Sequence, residues 1–425
     1  MIDWTNRVIR ESIMRGIRWM IGLGVLVSVG HSQNIGLPPK RFYSLDDLGG
    51  ISSGFRLGFD SIGRVSIVYH NQYLVLNDDR WINRLEEGDS NYHELSQVVC
   101  SGEGEAYYTS HGSWGELIST PEGRLSLKRL SPESRPGWTL ATEMDHILIV
   151  DDGVFFYNWN GLVYWDGKTG EHRFHEVRGL EHVFVYEGEI YVSIVSTGVK
   201  KLDLISAKLQ PAESFSSFRG GITQSVVVQG DVRLICSADK GLLRLDDSGL
   251  QEWHTAMAPF DGTDILDICH LGEGVIALAL KGKGIHVLNA VGEVLLSLTS
   301  GEYHGVKEIV SNEPGLFWYS TESGVGKVHF GSGVTVIDQR IGVSVDWPEV
   351  CRWDGRVLIG TSGRIYESYI QPDSGQVLFR LFEGQPDLLN VTVGAWLDYL
   401  FVGNGEGWLG LRPGEELKPI LRNFD

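Results

Sequence analysis

The groups in this chain that could do chemistry are thirteen histidines, four cysteines and a few close acid pairs, and their spacing argues against most of it. His172 and His175 share a short segment with Arg173 and Phe174. On a strand, however, a separation of three residues puts the two rings on opposite faces, which suits shared metal ligation poorly. Asp145-His146 and Asp151-Asp152 are acidic enough to serve a lyase or a glycosidase, yet Asp151-Asp152-Gly153 reads better as a turn. Cys100, Cys236, Cys269 and Cys351 form no C-x-x-C pair, so a structural zinc is not expected. They read as buried thiols packing like small hydrophobes. Cys236 and Cys269 fall in adjacent repeats and could pair in an oxidising compartment. No cofactor and no metal site is expected.

A second set of residues suits binding. Trp114 and Trp159 stand among polar residues that read as loops, and an indole there needs a reason. Around the chain the corresponding loops hold His111, Asn160, Ser196, Thr197, Asp239, Lys240, Lys281, Lys283, Glu322, Ser362, Asn404 and Glu406. Aromatic faces with amide and charged groups beside them suit a polar, ring-shaped ligand such as an oligosaccharide. The expected ligand-binding set is His111, Trp114, Trp159, Asn160, Lys240, Lys283, Glu322 and Glu406, with the two tryptophans as stacking platforms.

These loops are placed by a repeat. A glycine opening a short apolar strand recurs at Gly161, Gly198, Gly241 and Gly284, with weaker copies at Gly115, Gly324, Gly363 and Gly407. A second glycine register marks a turn upstream, at Gly63, Gly104, Gly153, Gly188, Gly230, Gly315 and Gly355. Between these marks run segments of five to seven residues rich in Val, Ile, Leu and aromatics, which read as four strands and three turns per repeat. A period near forty residues carried by short strands is the signature of propeller blades, which must stack because none covers its own faces. The fold class is therefore all-β, a β-propeller of four-stranded blades. Nine units are counted, at 42–93, 94–136, 137–179, 180–219, 220–261, 262–304, 305–344, 345–386 and 387–425. Propellers typically close with four to eight blades. The count thus means a ring of seven to nine, or one seven-bladed ring plus the start of a second. Residues 42–45 are β-prone and precede the first complete unit, so they are expected to pair with the last blade and close the ring.

Residues 1–33 are different in kind. Arg7, Arg10, Arg15 and Arg18 precede the apolar stretch 19–29, and small residues follow. That describes a secretory signal peptide, with an N-terminal membrane anchor as the alternative. Residues 42–425 form the propeller, expected in the periplasm or outside the cell. A net charge of −19 argues against a nucleic-acid partner.

The first unit also carries a resemblance. Asp60-Ser-Ile-Gly63 is a D-x-x-G turn, Gly355-Arg-Val-Leu-Ile-Gly-Thr-Ser-Gly363 holds an Ile-Gly-Thr strand before a glycine, and Leu316-Phe-Trp-Tyr-Ser-Thr-Glu-Ser-Gly324 holds the strand tryptophan. Over about 45–425 the chain resembles the two-component-regulator propeller repeat, found in periplasmic sensor regions of bacterial histidine kinases and hybrid regulators. The resemblance implies a ligand-sensing propeller partnered by a membrane histidine kinase or another protein, and a truncated form of a longer receptor. Asp166-Gly-Lys-Thr-Gly-Glu171 looks like a motif that quinone-cofactor dehydrogenases repeat in every blade, but it occurs once here and reads as a polar turn. An interaction scaffold without a small ligand is the alternative function. A propeller enzyme, lyase or glycosidase, stands behind it.

Overall fold

In the computed structural model the residues described are 37–422, except 87–93, 141, 196, 205–207, 217, 219, 230–231, 256–261, 332–335, 338–341, 344–347, 362, 371–376, 384–390, 397 and 405–406. The expected export signal, Ser196, Ser362 and Glu406 lie outside them, and so does the side chain of Asn404. Nine four-stranded antiparallel sheets account for the named strands. The only helices among the described residues are four single 3₁₀ turns. In chain order we call the sheets 1 (56–83), 2 (95–129), 3 (146–176), 4 (180–211), 5 (222–252), 6 (265–298), 7 (308–329 with Lys40–Ser44), 8 (349–381) and 9 (392–422).

Sheets 1 to 7 belong to one compact unit, spanning 38–336 and 370–376. Within sheets 1 to 6 the four strands run in sequence order as A, B, C and D, sheet 7 has A, B and C in the same order, and the A strands of neighbouring sheets face one another around an axis. Alternation along each strand sends apolar residues to both faces, so every sheet needs a neighbour on each side. Seven apolar clusters supply this, one at each seam between successive sheets. The seam between sheets 7 and 1 is among them, built from Tyr43, Leu57, Ile67, Leu74, Trp318 and Val325. The ring is therefore closed at seven.

Closure is made by a strand pair. Sheet 7 takes its outermost strand from the N-terminal side, with Lys40–Ser44 pairing antiparallel to Gly324–His329. The Tyr43 ring lies between Trp81 of sheet 1 and Trp318 of sheet 7, with centroids 5.7 and 6.1 Å away. Gly324 makes room for that strand, since a Cβ there would sit 2.0 Å from the Tyr43 carbonyl oxygen.

Sheets 8 and 9 fall in the second compact unit. They share one seam, filled by Trp353, Leu358, Ile365, Val393, Leu400 and Val402 among others. The other face of sheet 8 is covered by Val343, Ile337 and Leu37. Of the sequence's alternatives, the structure has a seven-sheet ring and two further sheets.

All four cysteines are free thiols. The pairing left open for Cys236 and Cys269 does not form, because each is buried in a different seam.

Candidate functional site

The turns joining strands B and C of sheets 1 to 7 emerge on one face of the ring, since all seven sheets share one strand order and direction. They bring His111, Trp159, Asn160, Lys240, Lys283 and Glu322 to that face. Trp114 is not among them. It lies inside the strand Ser113–Ser119, is fully buried, and packs against Phe156, His172 and Phe174 in the seam between sheets 2 and 3. The expectation of a stacking platform there is corrected. Gly115 is expected to open the third strand of its unit, but that strand begins at Ser113 and the turn before it uses Gly112, at φ 62°. Gly115 instead faces the Tyr108 ring, leaving no space for a Cβ.

Trp159 is 54% exposed. Its carbonyl accepts hydrogen bonds from the amides of Gly179 and Leu180 at 2.9 and 3.2 Å, which fixes the turn against the start of sheet 4. Gly179 leaves the floor open between Trp159 and Val195. Asn160 is half-buried and donates to Thr142 Oγ1 at 3.3 Å, while Asn158 donates to the same hydroxyl at 2.8 Å. These bonds tie the connector between sheets 2 and 3 to this turn. In that connector Leu140 is 49% exposed and touches Gly112. His111 is exposed and bridges to Glu143. On this face of sheets 2 to 4, Leu140, Trp159 and Val195 expose apolar side chains, with His111 exposed and Asn160 half-buried in the turns beside them.

The remaining expected residues lie farther round the ring. Lys240 is exposed in the sheet 5 turn. Lys283 in the sheet 6 turn pairs with Asp264 at 2.8 Å. Glu322 in the sheet 7 turn pairs with Lys307 at 3.4 Å. The structure does not gather these with Trp159 into one pocket.

Sequence reading missed the axis. Arg56, Gln97, His146, His182, Gln224, Asp267 and Glu308 occupy one register, each opposite the penultimate residue of its B strand. Five of them reach the next sheet. Gln97 Oε1 accepts from the Ile147 amide at 2.9 Å, and His182 Nε2 meets Ser225 Oγ at 3.0 Å. Gln224 donates to the Leu266 carbonyl at 3.0 Å, Asp267 Oδ2 accepts from the Ile309 amide at 2.8 Å, and Glu308 Oε2 from the Leu57 amide at 2.7 Å. In sheets 2, 4, 5 and 6 a bulge just before this position lets the side chain turn toward its neighbour. The signal was present: a polar residue heads each inner apolar run, at spacings of 36 to 49 residues.

Each axial side chain keeps some surface open, although protein encloses it closely. Burial shifts their protonation accordingly. It lowers the His146 imidazole to about 4 and that of His182 to about 3, so both are neutral. It raises Asp267 to about 8, with help from the nearby Glu308 carboxylate, and it raises Glu308 as well. These groups are chiefly staples between sheets, and the protons they hold follow from where the staples sit.

Other sequence candidates resolve as turns. Asp166 accepts from the amides of Lys168 and Thr169, both at 2.9 Å. Asp152 pairs with Lys168. Gly50-Ile-Ser-Ser-Gly54 has the letters of a nucleophile elbow, but it lies in a loop with no helix after it, and Ser52 Oγ meets the Tyr69 hydroxyl at 2.6 Å. Among the described residues, no three His, Cys, Asp or Glu side chains are grouped to hold a metal, and no helix is long and apolar enough to cross a membrane.

No family model matches the chain, and no curated protein matches it. Solved structures do. The extracellular domain of BT4673 from B. thetaiotaomicron, described as a one-component or hybrid two-component system, superposes with a TM-score of 0.52 at 13% identity, covering 91% of this chain and 54% of that one. This chain thus spans about half the length of that domain. Virginiamycin B lyase from Staphylococcus aureus gives a TM-score of 0.53 at 14% identity, covering 68% of this chain and 99% of that one. A streptogramin B lyase gives 0.52 at 12% identity, with 68% and 96% covered. At such identities the likeness shows the fold, a β-propeller, which one neighbour uses in a signalling system's extracellular domain and another in an enzyme.

Proposed function

We propose that this chain is a ligand-binding propeller of the sensing kind, working outside the cytoplasm, and that its ligand is a neutral polar molecule such as a glycan. The observation that carries this reading is the exposed Trp159 indole, carried by a turn that backbone bonds fix beside Gly179 and followed by half-buried Asn160. A rigid aromatic face with polar groups at its edge matches the alternating apolar and hydroxylated faces of a sugar ring. The architecture shared with the BT4673 extracellular domain supports a sensing role, and so do the repeat motifs in the sequence. Output to a membrane kinase or other protein partner belongs to the same proposal.

A glycan array followed by fluorescence titration of the full chain tests it. Trp159→Ala is expected to weaken binding about tenfold, consistent with loss of about 1.4 kcal/mol from one stacking contact, and to leave the melting temperature unchanged. Undiminished binding by the variant, or no binding to any glycan, would reject the ligand assignment and favour a protein-docking scaffold.

A further inference from the structure

We propose that the ring binds a calcium ion where sheets 4 and 5 meet on the face of the B–C turns, with the Glu181 and Asp239 carboxylates and the Ser237 hydroxyl as protein ligands. Glu181 is the second residue of the strand Leu180–Tyr186 in sheet 4. Ser237 ends the strand Val232–Ser237 of sheet 5, and Asp239 stands in the turn that follows. Gly220 and Gly221, which lead into the first strand of sheet 5, touch all three side chains. A Cβ on Gly221 would sit 2.0 Å from Glu181 Oε2, so that carboxylate rests directly on the backbone. A Cβ on Gly220 would sit 3.1 Å from Ser237 Oγ and 3.3 Å from Asp239 Oδ2, so those two oxygens face one point. Neither glycine has the left-handed backbone that would by itself call for the residue. What these two positions supply is room for oxygen atoms.

The oxygens gathered there have no donor. Ser237 is fully buried, yet its hydroxyl has no hydrogen-bond partner among the described residues. Glu181 Oε2 is likewise buried and unpaired. Among the described residues no cation pairs with either carboxylate, and burial followed by the Asp239 charge raises the Glu181 carboxyl. An unpartnered buried oxygen and two like charges held close each cost free energy. One divalent cation relieves both, whereas an anion would be repelled and a water would leave the charges opposed. A set made of oxygens alone selects a hard cation over a transition metal. Calcium takes about six to eight oxygens in a flexible arrangement, and the exposed side of Asp239 lets water complete the shell. Magnesium demands a near-ideal octahedron, which ligands drawn from two sheets suit less well. Two charged ligands and an open side match the weaker, extracellular class of calcium site, with Kd on the order of 10⁻⁴ to 10⁻³ M.

Calcium chloride titrated into the EDTA-stripped full chain, followed by calorimetry and by melting, is the test. One calcium per chain is expected, with Kd in that range and a melting temperature raised by a few degrees at about 10 mM. Glu181→Gln and Asp239→Asn should each weaken binding about tenfold or more. Glu122→Gln, in an exposed turn of sheet 2, should leave it unchanged. In EDTA both site variants should melt no lower than the parent, because each removes one of two like charges. If Glu181→Gln misfolds, as its circular dichroism would show, the exposed Asp239→Asn alone decides. Magnesium, and sodium at matched ionic strength, complete the experiment, since a chain of net charge −19 gathers cations without any site. No calcium bound, an equal response to magnesium or sodium, or binding that survives the substitutions would each overturn the proposal.

Discussion

Trp114 and Trp159 are the same residue type, one just after and one within the B–C turn of adjacent sheets, and they meet opposite environments. Trp114 is fully enclosed by Phe156, Phe174 and His172, with the Arg135 guanidinium 5.9 Å from its ring. Truncating it to Ala leaves a cavity that rigid sheets on either side cannot fill, and large-to-small changes of this kind cost about 3–5 kcal/mol. Chemical denaturation of Trp114→Ala should show that loss, and a loss below about 1 kcal/mol would mean the seam is loosely packed. The axial carboxyls give a second residue-level expectation, through pH. Folded Asp267 keeps its proton up to about pH 8, whereas the unfolded chain releases it near 3.8. Between those values the native state binds the extra proton, so stability declines as pH rises through the window and levels off above it. Glu308 acts in the same direction. Asp267→Asn removes this term but also gives up one of two accepted amide bonds, from Ile268 and Ile309, a loss of about 1 kcal/mol that does not vary with pH. Melting curves from pH 5 to 9 should therefore show the variant gaining on the parent as pH rises. A constant difference across that range would show that Asp267 is ionised in the folded protein.

At the scale of the element, the decisive piece is the strand Lys40–Ser44. It joins the first residues of the ring to its last sheet, so separating them requires breaking a strand pair and unpacking Tyr43 from two tryptophans. Removing 38–46 should lower the melting temperature by about 10 °C or more and promote aggregation through the bared edge of Gly324–His329. An unchanged melt would show that the apolar seam suffices without the strand. This strand was legible in advance because it is β-prone and has no blade of its own to join. The repeat itself was legible for the same reason that it folds, since each hairpin turn and each crowded strand start restricts what residue can stand there. Side-chain direction was not legible at that level. A glycine at a turn and a glycine under a tyrosine ring look alike in sequence, so Gly115 drew Trp114 onto the surface. The axial register escaped for a related reason. Arg56, Gln97, His146, His182, Gln224, Asp267 and Glu308 differ in type, and what unites them is one register facing the axis, from which four of them meet an amide or carbonyl of the next sheet, a property of the closed ring alone.

At the scale of the molecule, each sheet of the closed ring has a filled seam on both sides, whereas sheets 8 and 9 lie outside that ring. The two units therefore hold together on different terms. Every sheet in 38–336 finds both its neighbours within that span, seam by seam. Sheets 8 and 9 share a single seam, and sheet 8 takes its other cover from Leu37, Ile337 and Val343. Buried Glu367 adds to that small unit by pairing with Arg356 at 2.5 Å and Arg380 at 2.9 Å, which orders the outer strands of sheet 8. A chain limited to 38–336 is accordingly expected to fold by itself, with a strand-dominated circular dichroism spectrum and one cooperative calorimetric transition. The full chain should add a second, lower transition from sheets 8 and 9, because two sheets bury less apolar surface per residue than seven in a ring. Glu367→Ala should lower that second transition and leave the first in place, since its partners lie wholly within sheet 8. If 38–336 proves molten, or if Glu367→Ala shifts both transitions together, the ring draws stability from sheets 8 and 9 and the two units fold as one.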